Sequence, residues 1–174
     1  QVEKTVSIIG LGAASSAFTL ETYDRAAELL ERFLEAGGNC VDTAHIYGFG
    51  ESEKTLGRWI HESGRRGELF LITKGCHPAV DRDDIFGKPW VSRFTPEAMR
   101  ADLNESLERL QTDYIDLYLL HRDDESAPVG PLVEALNQGG FHHACEVEVD
   151  WIQAEEVEGL LAAGRLRDLD GIVI

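Results

Sequence analysis

CVDTAHIYGFGESEKTLGRWI (Cys40–Ile60) is the stretch whose reading decides the fold. It opens with a strand candidate, Cys40 to Ala44, and passes through a glycine-bearing turn. It then places Leu56, Trp59 and Ile60 on one face of a helix over roughly Glu51 to Ser63. A strand followed at once by an amphipathic helix is the repeating unit of a parallel sheet. Working outward, the unit recurs. On the N-terminal side, Val6 to Leu11 (VSIIGL) reads as a strand buried on both faces. Thr19 then caps a helix with Leu20, Tyr23, Ala27, Leu30 and Leu34 at helical spacing, stopped by Gly37 and Gly38. On the C-terminal side, Leu69 to Thr73 (LFLIT) predicts a third strand. Thr95-Pro96-Glu97 is a helix start, with a cap, a proline at the first helical position and an acid at the positive end of the dipole. That helix carries Met99, Leu103, Leu107 and Leu110. Tyr114 to Leu120 (YIDLYLL) predicts a fourth strand, and Pro131 to Asn137 begins its helix.

The bulk properties limit the partners. Acidic residues outnumber basic ones 32 to 16 in 174 residues, a formal charge of −16. Nucleic acids and anionic membrane surfaces require a basic face, so neither is expected as a partner. No apolar run approaches the ~20 residues of a membrane span, and no signal-peptide pattern opens the chain, so the cytoplasm is the expected location. Cys40, Cys76 and Cys145 lack metal-ligand spacing and read as reduced apolar fillers.

A parallel sheet is either open and doubly wound or closed into a barrel. Gly10-Leu11-Gly12-Ala13-Ala14-Ser15 offers two glycines but no third at the spacing of a phosphate-binding loop, and reads as a tight strand-end turn. The barrel is preferred because reactive side chains collect at several strand ends, where barrel active sites lie. These are Asp42 with His45 and Tyr47, then Lys74, then His121 with Arg122 and Asp123. A lysine ending an apolar strand needs a partner, and Asp42 on the neighbouring strand supplies one. An unperturbed phenol, with a pKa of about 10, is a poor proton donor at neutral pH, and an ammonium beside Tyr47 favours its phenolate. Taken singly, Asp42 reads more often as a turn former and Lys74 as a solvated rim charge, and Tyr47 and His121 read also as loop packing and a structural histidine. Their coincidence at three consecutive strand ends favours a shared reaction.

VDTAHIYGFGESEKTLGRWI, FLITKG and SLERLQTDYIDLYLLH together resemble the aldo-keto reductases over about Val6 to Asn137. The resemblance implies an α/β fold of the (β/α)8 TIM-barrel type, with about the first four β/α units recognisable in this sequence. It implies NADPH, less often NADH, and a small-molecule aldehyde or ketone as substrate. By this likeness Asp42 orients and charges the site, Tyr47 is the general acid, Lys74 assists it and His121 positions the carbonyl. Gly12, Ala13 and Asp42 are the expected cofactor contacts; His45, Phe86, Trp90 and Arg122, with His77, are the expected substrate wall. The long connection Cys76 to Phe94 lies on the same face as Lys74, as either a pocket wall or a surface insertion.

Residues 1–138 are thus expected to form the N-terminal part of a barrel. Residues 139–174 are an acidic tail of the same domain, with a half-exposed strand at Cys145 to Trp151, an amphipathic helix at Ala154 to Ala163 and an apolar run from Gly171. From His142 onward eight acids face only Arg165 and Arg167, a poor composition for gripping pyrophosphate. His142 and His143 are adjacent in a strand and point to opposite faces, so no metal is expected there. A fragment of a longer reductase, a chimera and a half-barrel completed by a second copy all fit this tail; the first is preferred, since Ile174 ends inside an apolar run. Two other function classes remain open. One is a metal-dependent hydrolase using His45, His121, Asp42 and Asp123; the other is a non-catalytic binding protein that keeps the fold.

Overall fold

The computed structural model describes residues 4–80, 91–122, 124, 127–128, 130–138 and 147–148. Phe86, Trp90, Asp123 and the helix expected at Ala154 to Ala163 lie outside these residues. The described elements alternate: β1 (Gly10–Gly12), α1 (Tyr23–Glu35), β2 (Cys40–Asp42), α2 (Glu51–Ser63), β3 (Phe70–Gly75), α3 (Pro96–Leu110), β4 (Leu117–Leu120), α4 (Gly130–Gln138) and β5 (Val147–Glu148).

The strands form one sheet in the order β1-β2-β3-β4-β5, every neighbouring pair parallel. This order separates the two parallel architectures. A doubly wound sheet reverses direction at a switch point, whereas a barrel adds each strand beside the last. The described strands never reverse. β5 continues the series beside β4, with Tyr118 opposite Val147, so Val147 and Glu148, within the segment expected as a strand in the tail, extend the parallel sheet.

The helices form for the reasons the sequence supplies. Thr95 caps α3 by accepting from the Ala98 N–H, and Pro96 follows at the first helical position. Met99, Leu103 and Leu110 of α3 pack into the same core as Leu56, Trp59 and Ile60 of α2 and Val41, Leu71 and Tyr118 of the strands. α2 begins at Gly50 in the left-handed conformation, φ 92°, beside an Arg109 guanidinium whose nitrogens would lie 2.9 Å from a Cβ there. A side chain at Gly50 would therefore suffer both strain and collision.

The N-terminal segment differs from expectation. β1 starts only at Gly10, and Ile8 and Ile9 are exposed, Ile8 entirely so. Among the described residues β1 has one neighbour, β2, so the apolar run Val6 to Ile9 lacks the second covering surface that a doubly buried strand requires. Ser7 instead ties this run to the chain before β2, through its N–H to the Asn39 side chain at 2.8 Å. Leu20 also falls before α1 and is exposed; α1 buries Tyr23, Ala26 and Leu30.

The amino ends of the strands carry their own polar lock. Lys4 Nζ donates to Asp116 at 2.6 Å and to the Leu69 carbonyl at 2.8 Å. Arg66 pairs with the other Asp116 oxygen at 2.8 Å, which also accepts from the Leu71 N–H at 2.8 Å.

Where α2 crosses α3, a methyl on Gly57 would sit 2.0 Å from the Arg109 carbonyl oxygen. Overpacking costs about 1–3 kcal/mol, more than the roughly 1 kcal/mol that Gly→Ala gains in helix propensity. Gly57→Ala is expected to lower the urea midpoint; an unchanged or raised midpoint contradicts this close approach.

Candidate active site

The carboxyl ends of β2, β3 and β4 gather the reactive residues. Asp42 is in register with Ile72, and Lys74 follows two residues later on the same face of β3, beside it. Lys74 Nζ donates to both carboxylate oxygens of Asp42 at 2.6 and 2.5 Å and to the Thr43 carbonyl at 3.0 Å. A fourth contact, 3.4 Å, reaches the Tyr47 hydroxyl. The ammonium is thus held by one anion and one carbonyl while facing one phenol. Its side chain is 16% exposed and that of Asp42 33%, so the pair is shielded from water more than a surface ion pair.

Tyr47 is delivered by a tight reversal. Gly48, Phe49 and Gly50 all have positive φ, and Phe49 at 54° is the residue there for which that conformation is uncommon. Tyr47 N–H donates to the Ala44 carbonyl at 3.0 Å, and His45 N–H to the Lys74 carbonyl at 2.9 Å, which closes the turn onto β3. Below it, Ser52 of α2 bonds the Thr43 hydroxyl and the Ala13 carbonyl, both at 2.8 Å. The helix that follows Tyr47 therefore fastens the ends of β1 and β2.

His121 follows β4, its N–H donating to the Gly75 carbonyl at 2.8 Å. Its ring meets Tyr47 edge-on, centroids 5.5 Å apart, and meets His77 edge-on at 4.8 Å. Burial pushes the His121 imidazole down to about 4, with His77, Lys74 and Arg122 adding repulsion. The ring is neutral at neutral pH, and its Nδ1 has no hydrogen-bond partner among the described residues.

Asp42, Tyr47, Lys74 and His121 are thus brought together. Ala13, buried, donates its N–H to the Asp42 carbonyl at 2.8 Å, which places the Gly12–Ala13 turn at the same edge. Arg122 is exposed, and its charge acts on both His121 and His77. His45 goes elsewhere: its Nε2 lies 2.8 Å from Glu105 and 3.7 Å from Asp102, both on α3. The substrate-wall role expected of His45 is not reflected in these contacts, which bind the Tyr47 turn to the helix. The metal-ligand set is likewise not assembled, since Asp42 is taken by Lys74 and His45 by Glu105. Among the described residues no three His, Cys, Asp or Glu side chains form a metal-binding group.

Two buried carboxylates escaped the sequence reading. Glu53 is fully buried, accepting from the Thr73 hydroxyl at 2.7 Å and pairing with Arg109 at 3.3 Å. Asp102, equally enclosed, accepts from the Cys76 N–H at 2.8 Å and is gripped by Arg93. Asp102 had a sequence signal: it shares the face of Met99, Leu103 and Leu110, where an acid demands a partner. Glu53 had none, because an acid in the first turn of a helix reads as dipole compensation.

Comparison with known proteins gives the family. The chain belongs to the aldo/keto reductase family, whose sequence profile matches residues 8–158; the match continues beyond Asn137. It is 37% identical over 122 residues to a norsolorinic acid reductase of Emericella nidulans, covering 67% of this chain and 30% of that protein. It is 35% identical over 164 residues to an aldo-keto reductase of Mycobacterium tuberculosis, covering 91% of this chain and 50% of that one. Among solved structures it resembles the holo form of a Bacillus halodurans aldo-keto reductase, with TM-score 0.71 and 27% identity over 90% of this chain and 50% of that chain. It also resembles a Klebsiella pneumoniae aldo/keto reductase in complex with NADP and acetate, with TM-score 0.64, 28% identity and the same coverages. The chain therefore spans half or less of the length of these relatives, and its strands are about half of a (β/α)8 barrel. Among the described residues no helix is long and apolar enough to cross a membrane.

Two measurements check the site. Lys74→Met leaves Asp42 without its cation and is expected to cost about 1–3 kcal/mol of stability; a loss below about 0.5 kcal/mol in urea unfolding would mark the pair as no stronger than a surface one. For His121 the folded ring takes its proton near 4 rather than 6.5. Its contribution to stability is complete above 6.5 and is lost as pH falls through 4. The stability advantage of the parent over His121→Asn should therefore shrink from pH 7 to pH 4; a constant difference contradicts the depressed pKa.

Proposed function

We propose that this chain carries the proton-donating machinery of an NADP(H)-dependent oxidoreductase that reduces aldehydes or ketones to alcohols, with NAD(H) as the second candidate cofactor. One observation carries the reading: Lys74 Nζ lies between the Asp42 carboxylate and the Tyr47 hydroxyl, with a neutral His121 against the Tyr47 ring. The Klebsiella pneumoniae relative in complex with NADP supports the cofactor, and the donor set fits the proton transfer that accompanies hydride delivery. The site offers a hydroxyl acid at Tyr47, a neutral imidazole at His121 and an ammonium at Lys74, and the Asp42 carboxylate is already paired, which suits protonation of an oxygen far better than hydrolysis.

A bound nicotinamide supplies the hydride; the residues of this chain do the rest. His121, neutral, donates a ring N–H to the carbonyl oxygen and orients it. The Tyr47 O–H passes its proton to that oxygen as negative charge develops there. Lys74 stabilises the phenolate left behind, and Asp42 keeps the ammonium in place. Gly12, Ala13 and Asp42 are the residues assigned to hold the cofactor, at the edge where β1 and β2 end. Residues 1–138 supply the first part of the barrel on this reading, and 139–174 continue the same domain in a cytoplasmic protein.

Tyr47→Phe tests the proposal. It should reduce the turnover of a simple aromatic aldehyde by about 10²–10⁴-fold, the usual worth of a positioned general acid, while NADPH binding, followed by fluorescence titration, stays nearly unchanged. Equal loss of both would assign Tyr47 a structural role. NADPH binding by the parent with no turnover of any aldehyde or ketone would favour a non-catalytic binding protein.

A further inference from the structure

The loop after β3 places a second imidazole against His121, and the reaction scheme gives it no task. His77 and His121 meet edge to face, centroids 4.8 Å apart and interplanar angle 86°. Tyr47 meets the same His121 ring at 5.5 Å and 89°. His121 therefore packs against two rings. Among the described residues the His121 Nδ1 has no hydrogen-bond partner to set the ring's rotation, and packing takes over that job.

His77 is itself well fixed. A ring Nδ1–H···O contact of 2.9 Å to the Pro78 carbonyl sets its tautomer and its plane. The backbone beneath it is clamped at both flanks. Cys76, at the uncommon φ of 60°, donates its N–H to buried Asp102 at 2.8 Å. Arg93 grips the same carboxylate and reaches the His77 carbonyl at 3.4 Å. Buried Asp102 of α3, paired with Arg93 just before that helix, thus holds the root of the loop, and the loop holds a ring against the histidine assigned to the carbonyl.

We propose that His77 is a positioning residue for carbonyl reduction: its clamped ring, packed edge-on to His121 together with Tyr47, fixes the orientation of His121 and shields it from water. This rests on the role assigned to His121 under Proposed function. Among the described residues the groups facing His121 are Tyr47 from the turn after β2, Lys74 from β3, His77 from the loop after β3 and Arg122 from its own segment. When the His77 ring is removed, water enters beside His121 and the desolvation that holds its proton affinity down is lost. The His121 proton affinity then returns toward its ordinary value.

The test compares His77→Ala with His77→Phe, which keeps a ring of similar size. Nitrogen-detected NMR of the His121 imidazole reads its titration without reference to activity. In the parent it should titrate near 4, and in His77→Ala it should move toward 6.5; in His77→Phe it should stay low. In steady-state assays with an aromatic aldehyde, His77→Ala should lose about tenfold in kcat, the scale of a small misplacement, with NADPH affinity retained, and His77→Phe should recover most of it. Should the alanine variant fail to fold, His77→Asn, which retains an amide donor for the Pro78 carbonyl, takes its place. An unmoved His121 titration in the ringless variant overturns the proposal, as does equal kcat loss in the ringless and phenylalanine variants. If the parent reduces no carbonyl compound, the reading of the reaction fails, and the titration still decides whether His77 shields His121.

Discussion

An ammonium at the end of a buried strand has to be neutralised, and the Lys74–Asp42 pair does this with one carboxylate that spends both oxygens on it. Fully exposed ion pairs contribute at most about 1 kcal/mol, whereas breaking a buried one costs about 3–5 kcal/mol. This pair lies between those limits, which suits its position: enclosed enough to be dependable, open enough on one side to face the Tyr47 hydroxyl. The rest of the site is arranged around that charge. The β2–β3 register sets it beside Asp42, the left-handed turn through Gly50 presents Tyr47 to it, and its field is one of the influences that keep His121 neutral.

The surrounding helices contribute polar anchors as well as apolar cover. Ser52 fastens the ends of β1 and β2, Glu53 holds Thr73 immediately before Lys74, and Asp102 holds the backbone just after Gly75. Each is buried, and each has its hydrogen-bonding needs met. Lys74 is thus bracketed along the chain by two satisfied carboxylates, one from α2 and one from α3. Within a chain of net charge −16, Lys74, Arg93 and Arg122 still disfavour a proton on the two facing imidazoles, although Lys74 and Arg93 are each paired with a carboxylate.

Most of the architecture was legible because strand and helix periods differ and because glycine, proline and threonine punctuate their boundaries. α2, α3 and β3 fall within a residue or two of expectation for that reason. The N-terminal strand was misplaced because an apolar run predicts burial only where a neighbour exists to cover it, and Ile8 and Ile9 have none among the described residues. The Asp42, Tyr47, Lys74 and His121 grouping was visible because strand ends of a parallel sheet share one edge. The turning of His45 toward Glu105 was not, since it depends on which way one side chain rotates. Asp102 was readable in principle as an acid on an apolar helix face; Glu53 was hidden by a position where acids are common.

The polar lock of Lys4, Arg66 and Asp116 has a consequence for how such a protein changes over generations. It fastens the strands at the edge opposite the reactive one. Structural commitment and chemical commitment are therefore written into different residues at different ends of the same strands. Substitutions in the loops around Tyr47 and His77 leave that lock untouched, so those loops can vary by small steps through folded intermediates.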